Sequence, residues 1–532
     1  MSQLLFNEVI YNNIPQNNFP LDHDRKFSMQ MGYAVPCKVQ EVVPGGTYYS
    51  NTSQLVRMAP MLAPLMHRVN VCVHSFFVPN RILWPGWEDA VASPLDPLNP
   101  MPFIKPAAGI GVGTLADYLG YPTGAFNDRE FNALPIAAYN LIWNEYYRDQ
   151  WLQEEINAEL IDGNNNATAD IGTAWVTKPL KRAWQKDYFT SCLPQPQAGE
   201  PVTIPIGGTA TIEYNVAATG ATTQLRRIGV AGQPAPASSG YVAGNISYSS
   251  DGVDDALLSA LTGDPLGNEQ PINIDNSANL LVNLESATAT TINDLRVAIT
   301  LQQWLEMNQR SGDRYIESLR SHFGVAPNDA RLQRPEYIGG SKTNISFSEV
   351  LQTSSSDAET PQANMAGHGI SLGQGNGYKY YAQEHGFIIS IISVMPDTSY
   401  INPTPKHLLN RDFLEYLDPL FANLGEEPVL NREVQGDHTT PNGTFGYQSK
   451  FASYKFNHNT VHGQFKTTLK FWHMSRELLN PVLNENFIES DPTKRIFAVE
   501  DEDEDELYVQ MYHEDRALLP LPRYSIPGVA KV

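Results

Sequence analysis

The chain has 532 residues, 42% hydrophobic and 18% charged, a composition that folds and is long enough for more than one average domain. Its formal charge of −22 excludes a protein whose principal task is gripping phosphates, since that affinity comes from cation clusters that displace counterions. Cys37, Cys72 and Cys192 lie too far apart in sequence for a disulfide framework or a thiolate metal site, and are expected to be small buried hydrophobes. The opening MSQLLFNEVIYNN lacks the basic start, apolar stretch and cleavage site of a secretory signal, and no later run is long enough to span a bilayer. The expectation is a protein made in the cytoplasm, without membrane insertion.

Residues 1–25 are rich in Asn and Pro and have no period, which predicts an extended N-terminal arm. A first part of the core is expected over 26–198. There Phe27, Met29, Met31, Tyr33 and Val35 alternate with polar or small residues, predicting a strand that Pro36 interrupts and that 39–43 resumes. Val69, Val71, Val73, Ser75 and Phe77 alternate with Asn70, Cys72, His74 and Phe76, a strand with one apolar face that Pro79 ends. Pro135 suits a first helical position, and Tyr139, Ile142, Trp143, Tyr146, Tyr147 and Trp151 recur at helical spacing, predicting an amphipathic helix with an aromatic face.

Residues 199–286 are poor in charge and rich in Ala, Thr, Gly, Ser and Asn, and are expected to form an inserted surface subdomain. The second part of the core is expected over 287–512. Thr291-Ile292-Asn293-Asp294 has the form of a capping box, predicting a helix near 293–321 broken at Ser311-Gly312. Ile345 and Phe347 mark a strand over 344–351. FIISIISVM (387–395) is continuously apolar and too short for a bilayer, which predicts a central strand covered on both sides. Phe465, Thr467, Leu469 and Phe471 alternate with Lys466, Thr468 and Lys470, predicting a half-buried strand. Pro520, Pro522, Pro527 and Gly528 predict an extended C-terminal arm over 513–532. Strands with long intervening loops favour a mainly β protein, an antiparallel jelly-roll β-sandwich with loop and helical insertions.

No catalytic, cofactor-binding or metal-ligating residue is assigned. His458 and His462 have the spacing of two ligands on a helix, but Asn457, Asn459 and Gly463 surround them and no Glu stands between, so they are expected at a surface or interface. GHGISLGQGNG (367–377) lacks the flanking strand, helix and Lys-Ser/Thr of a phosphate loop. The seven consecutive acids at 500–506 lack the glycine and alternate spacing of a calcium loop and are expected to be solvated. One group suits nucleic acid: Lys178, Lys181, Arg182, Trp184 and Lys186, followed by Tyr188 and Phe189, interleave cations with rings. Single-stranded DNA is held by such pairs, charge tracking the backbone while bases stack. An intersubunit contact is the other role open to these residues.

Several strings go further. SFFVPNRILW (75–84), LPIAAYNLIWNEYYRDQWL (134–152), DYFTSCLPQPQ (187–197), ATATTINDLR (287–296), RSHFGVAPNDARLQRPEYIGG (320–340), EHGFI (384–388) and LNRE (430–433) resemble, in this order, the major capsid protein of the small single-stranded DNA bacteriophages called microviruses, most closely the gokushovirus branch. The resemblance implies an eight-stranded viral jelly roll and a structural, non-enzymatic subunit. Copies of it would self-assemble into a T=1 icosahedral shell around circular single-stranded DNA. It further implies that the insert forms outward protrusions at threefold axes, with a role in host attachment. The implied partners are other copies of the chain, the packaged DNA, a small basic DNA-binding virion protein, a pilot protein, a scaffolding protein and the bacterial host surface. Met66-His67-Arg68 departs from the Met-Asp-Asn expected there, and the acidic block is not part of the family pattern. The alternative is a carbohydrate-binding or carbohydrate-active β-sandwich, suggested by strand content, acidity and aromatic residues.

Overall fold

The computed structural model describes residues 15–92, 100–106, 109–125, 129–202, 292–351, 365–375, 377–499, 501 and 503–524, together with the backbone of short strands between 211 and 283. The ends of both expected arms, most of 199–286, and Glu500 and Glu502 of the acidic run lie outside the described residues.

Eleven strands build a sandwich: β1 (Asn17–Pro20), β2 (His23–Met29), β3 (Val35–Val42), β4 (Thr47–Met58), β5 (Val69–Pro79), β6 (Glu336–Asn344), β7 (Ser346–Leu351), β8 (Met365–Gln374), β9 (Tyr378–Tyr381), β10 (Gly386–Pro396) and β11 (Leu507–Leu519). In the seven-stranded sheet β11 pairs with β1, β2 and β4, while β4 pairs in turn with β8 and β9, and β8 with β7; the four-stranded sheet runs β6-β5-β10-β3. Every pairing in these two sheets is antiparallel. The chain crosses between sheets from β2 to β3, β3 to β4, β4 to β5 and β6 to β7, and again into and out of β10, which makes the jelly roll. The two sheets together hold more strands than the expected eight. Two strand lines are each split, β1 from β2 and β8 from β9, and β7 adds an edge hairpin with β8.

Side chains from the inner faces interdigitate between the sheets: Val35, Cys37, Val71, Val73 and Ile392 from one, Met29, Val56, Met58, Val509 and Met511 from the other. The four-stranded sheet has a second covered face. Phe76, Val78, Phe387, Ile389 and Ile391 pack there against Ile136, Tyr139, Ile142 and Trp143 of helix α1 (Leu134–Tyr146). Every residue of β10 is therefore buried, which is what its unbroken apolar run requires. Nearly all of β5 is buried too, so the single apolar face expected for it is corrected to two. Helix α1 carries Pro in its first turn, yet it is buried almost all round rather than amphipathic. Its Tyr139 hydroxyl donates to the Ala34 carbonyl at 2.8 Å and accepts from the Leu180 N–H at 3.0 Å, which ties the segment beginning at Lys178 to the sandwich.

Three sequence expectations meet a different structure. The alternation over 27–35 spans a corner between β2 and β3, where Gly32 adopts φ +86° and an added Cβ would stand 2.7 Å from the Ser490 carbonyl. Pro36 stays within β3 because the ladder to β10 shifts register there. Residues 465–471 are two 3₁₀ turns, Gly463–Lys466 and Lys470–Trp472, not a strand. Their carbonyls are taken by side chains, Phe465 by His473 at 2.8 Å and Lys470 by Arg495 at 3.0 Å, so no ladder partner is called for. Residues 513–519, expected in an arm, complete β11 in the middle of the seven-stranded sheet, and residues 17–25 of the other expected arm contribute β1 and most of the start of β2.

Backbone contacts divide the chain into two compact units, Met1–Gly199 with Leu305–Val532, and Glu200–Trp304. The second takes in the charge-poor segment, and its described strands pair antiparallel in a four-stranded and a two-stranded sheet. Helices Ile292–Ser311 and Tyr315–Phe323 are separated at Gly312, φ +114°. Among the described residues no helix is long and apolar enough to cross a membrane.

Candidate functional site

The segment carrying Lys178, Lys181, Arg182, Trp184 and Lys186 is stitched on both sides by backbone. The Arg182 N–H meets the Gly32 carbonyl at 3.0 Å, Ala183 meets Tyr147 at 3.0 Å and Trp184 meets Ile488 at 2.9 Å. Trp143 adds an indole N–H to the Lys181 carbonyl at 2.9 Å. With its backbone so held, the segment sends its rings inward: Trp184, Tyr188 and Phe189 are at most 4% exposed. None of the three offers a free face on which a base could stack.

The cations meet acids. Lys181 pairs with Asp491 at 3.0 Å and Glu489 at 3.4 Å, Lys186 pairs with Asp149, and Lys178 stands 3.9 Å from Asp503. Burial works against the Lys181 charge, but Asp491 and Glu489 outweigh it and hold its pKa above the ordinary lysine value. Arg182 lies over the Tyr147 ring at 5.3 Å and donates to Ser393 Oγ at 2.9 Å. The adjoining cleft of about 930 Å³ is lined by five cations, Lys178, Lys181, Arg476, Lys494 and Arg495, and by five acids, Glu477, Glu489, Asp491, Asp503 and Glu506. Its charges balance, and it is not a positive groove. The sequence concealed this because the answering acids sit some 300 residues further along.

The acidic run is not wholly solvated. Glu506 is 5% exposed and accepts from the Met31 N–H at 2.7 Å, and burial raises its pKa despite that bond. Lys494 ties the run down through the carbonyls of Asp501 and Glu504 at 3.0 and 2.7 Å. His458 and His462 do not share a helix face. His458 packs among Tyr188, Phe189 and Tyr400, whereas His462 bonds Thr460 at 2.9 Å. Among the described residues no group of His, Cys, Asp and Glu could hold a metal ion.

A second feature went unread in the sequence. Over 407–424 the chain makes three short 3₁₀ turns whose apolar side chains point to solvent: Leu408, Phe413, Leu420 and Leu424 are between 67% and 85% exposed. The second and third turns are held by their own caps, with Glu415 accepting from the Asp412 N–H at 3.1 Å and Asp418 from the Leu420 N–H at 2.9 Å. Tyr454, whose hydroxyl accepts from the Leu417 N–H at 3.4 Å, and Phe456 extend the patch. An apolar surface of this density, ordered yet uncovered, marks an interaction site. The signal was present as a run of apolar residues with neither helical nor strand period.

Comparison with known proteins shows the family. Residues 8–529 match the family described as "Capsid protein (F protein)". The chain belongs to this phage capsid family. It is 33% identical to the capsid protein VP1 of Chlamydia phage 1, over 99% of this chain and 98% of that one, and 34% identical to the capsid protein VP1 of Bdellovibrio phage phiMH2K, over 93% and 91%. The capsid protein VP1 of Spiroplasma virus 4 is 31% identical over 98% of this chain and 96% of its own. The chain is thus a structural capsid protein of the microvirus type, a component of the virion, and family membership implies self-assembly into a capsid that encloses the genome.

Proposed function

We propose that copies of this capsid protein close into an icosahedral shell around circular single-stranded DNA with no catalytic step, and that the exposed apolar surface of 407–424, with Tyr454 and Phe456, is buried against a neighbouring copy. The observation that carries this is the ordering of that surface by its own caps: it is preorganised and lacks only a cover, so binding spends little on ordering loops. Heterologous contacts that close around symmetry axes need such a patch on every subunit.

The charge of −22 supports a division of labour in which a small basic DNA-binding virion protein neutralises much of the genome, alongside a pilot protein and a scaffolding protein. The Glu200–Trp304 unit would form the outward protrusion and meet the bacterial host surface. Of the group Lys178, Lys181, Arg182, Trp184 and Lys186, the lysines with half-exposed side chains, Lys178 and Lys186, would serve as point charges toward phosphate.

Electron microscopy of the purified full chain tests the assembly surface. Leu417→Asp with Leu420→Asp is expected to abolish closed shells while leaving the thermal melt of the unassembled chain unchanged, because both side chains are exposed there. Closed shells at the unaltered yield would refute it.

A further inference from the structure

The outward face of the seven-stranded sheet stands apart in this acidic molecule. Strict alternation along β4 and β11 turns Tyr49 and Arg57 outward from one strand and Tyr508, Tyr512 and Arg516 outward from the other. Register then pairs rings with cations. Tyr508 lies directly opposite Arg57, and Tyr49 lies opposite Arg516 on one side and Lys379 of β9 on the other. The Lys379 ammonium stands 5.4 Å from the centre of the Tyr49 ring. Tyr49, Tyr508 and Tyr512 are 42%, 51% and 47% exposed, unlike the sealed rings of the 178–189 segment. At about 3.4 Å per residue, the run from Tyr508 to Arg516 is about 27 Å long, with a ring beside a cation at each end and Tyr512 between them. A groove of about 790 Å³ lies beside Tyr49, Lys379 and Arg516 at one end of it.

The acids of this face are already engaged. Asp24 pairs with Lys26, Glu514 lies 3.5 Å from Arg516, and Asp505 meets Ser28 at the opposite end from the groove. Exposed pairs of this kind are weak and exchange readily for a phosphate.

We propose that this sheet face is the platform on which the packaged single-stranded DNA lies, with bases stacking on Tyr49, Tyr508 and Tyr512 and phosphates meeting Arg57, Lys379 and Arg516. Ring stacking with cations tracking the backbone is sequence-tolerant, as enclosing a whole genome demands. The proposal rests on the capsid assignment, because it needs this face turned toward the enclosed DNA.

The test is binding of a fluorescein-labelled oligothymidylate to the purified full chain before assembly, read by anisotropy across a salt series, with shell closure scored by electron microscopy on the same preparations. Tyr49→Ala with Tyr512→Ala is expected to weaken binding by about tenfold or more, and Tyr49→Phe with Tyr512→Phe, which keeps both rings, to stay within about twofold. Arg57→Gln with Arg516→Gln is expected to shallow the slope of log affinity against log salt by about 1.4, at about 0.7 per phosphate contact on a single strand. Unchanged affinity in the alanine variant, or no binding by the unaltered chain, overturns the platform. Loss of shells in the alanine variant with oligonucleotide affinity intact also overturns it and gives the face to contact between copies. If the unaltered chain forms no shells while binding still follows the ring substitutions, the platform stands and it is the assembly surface that has failed.

Discussion

Lys38 offers the sharpest test of how the sandwich is held. It reaches from β3 across the interior to Asp515 on β11, with Nζ 2.7 Å from the carboxylate, 2.9 Å from the Tyr378 hydroxyl and 3.2 Å from Ser50 Oγ. Lys38 is 1% exposed and Asp515 2%, so the pair stands in the low-dielectric space between the sheets. Lys38→Met keeps the length and apolar stem of the side chain and removes the ammonium, with its charge and its hydrogen bonds to Tyr378 and Ser50. The Asp515 carboxylate is then left with no ammonium beside it, and the His23 ring stands 3.7 Å away. Breaking one side of a buried pair costs about 3–5 kcal/mol, and that loss is expected here. Removing both charges in Lys38→Met with Asp515→Leu is expected to return stability to within about 1 kcal/mol of the unaltered chain, or above it, because neither ion is then desolvated. Urea denaturation of the unassembled chain followed by tryptophan fluorescence measures both. A single substitution costing under about 1 kcal/mol, or a double variant no better than the single, would refute the view of Lys38 as the counter-charge that allows Asp515 to be buried.

Three further predictions follow from the same packing. Burial, then the Lys38 charge, depresses the pKa of His513 to about 4, and burial, then Arg182, does the same for His74, both from an ordinary 6.5. The unfolded chain therefore binds protons that the folded one refuses between those values. Each of these two histidines should contribute stability that is full above about pH 6.5 and falls by about 2 kcal/mol by pH 5, so the His513→Gln variant should lose about 2 kcal/mol less than the unaltered chain over that range, measured by urea midpoints across pH. Gly32→Ala, at φ +86° and with its new Cβ 2.7 Å from the Ser490 carbonyl, is expected to cost roughly 2 kcal/mol or more, and an unchanged thermal midpoint would contradict the corner described above. Ile391→Ala removes a fully buried side chain between β10 and helix α1 and should cost about 2–5 kcal/mol by denaturant titration, with a loss under about 1 kcal/mol counting against that packing.

Much of this protein was legible in its amino acids. The strings around Pro79, Pro135 and Asn328 resemble the family, and the apolar run at 387–395, too short for a bilayer and rich in β-branched residues, fits a strand covered on both faces. The helix opening at Pro135 and the break at Gly312 follow from local backbone rules that need no partner.

What failed failed for a common reason. Two-residue alternation at 465–471 predicted a strand, but a strand exists only where another lies beside it, and His473 and Arg495 take those carbonyls instead. The end of β11 escaped notice because His513 and Asp515 face inward, which polar residues do only when something distant answers them, here Thr52 and Lys38. The basic group at 178–186 reads in sequence as a row of unanswered cations, and only folding brings Glu489, Asp491 and Asp503 beside it. The sequence by itself determined the family, the dominant strands and helix, and the acidity. Tertiary structure alone decided which charges are answered and which rings stay open, because pairing and burial are set by register and by residues hundreds of positions apart.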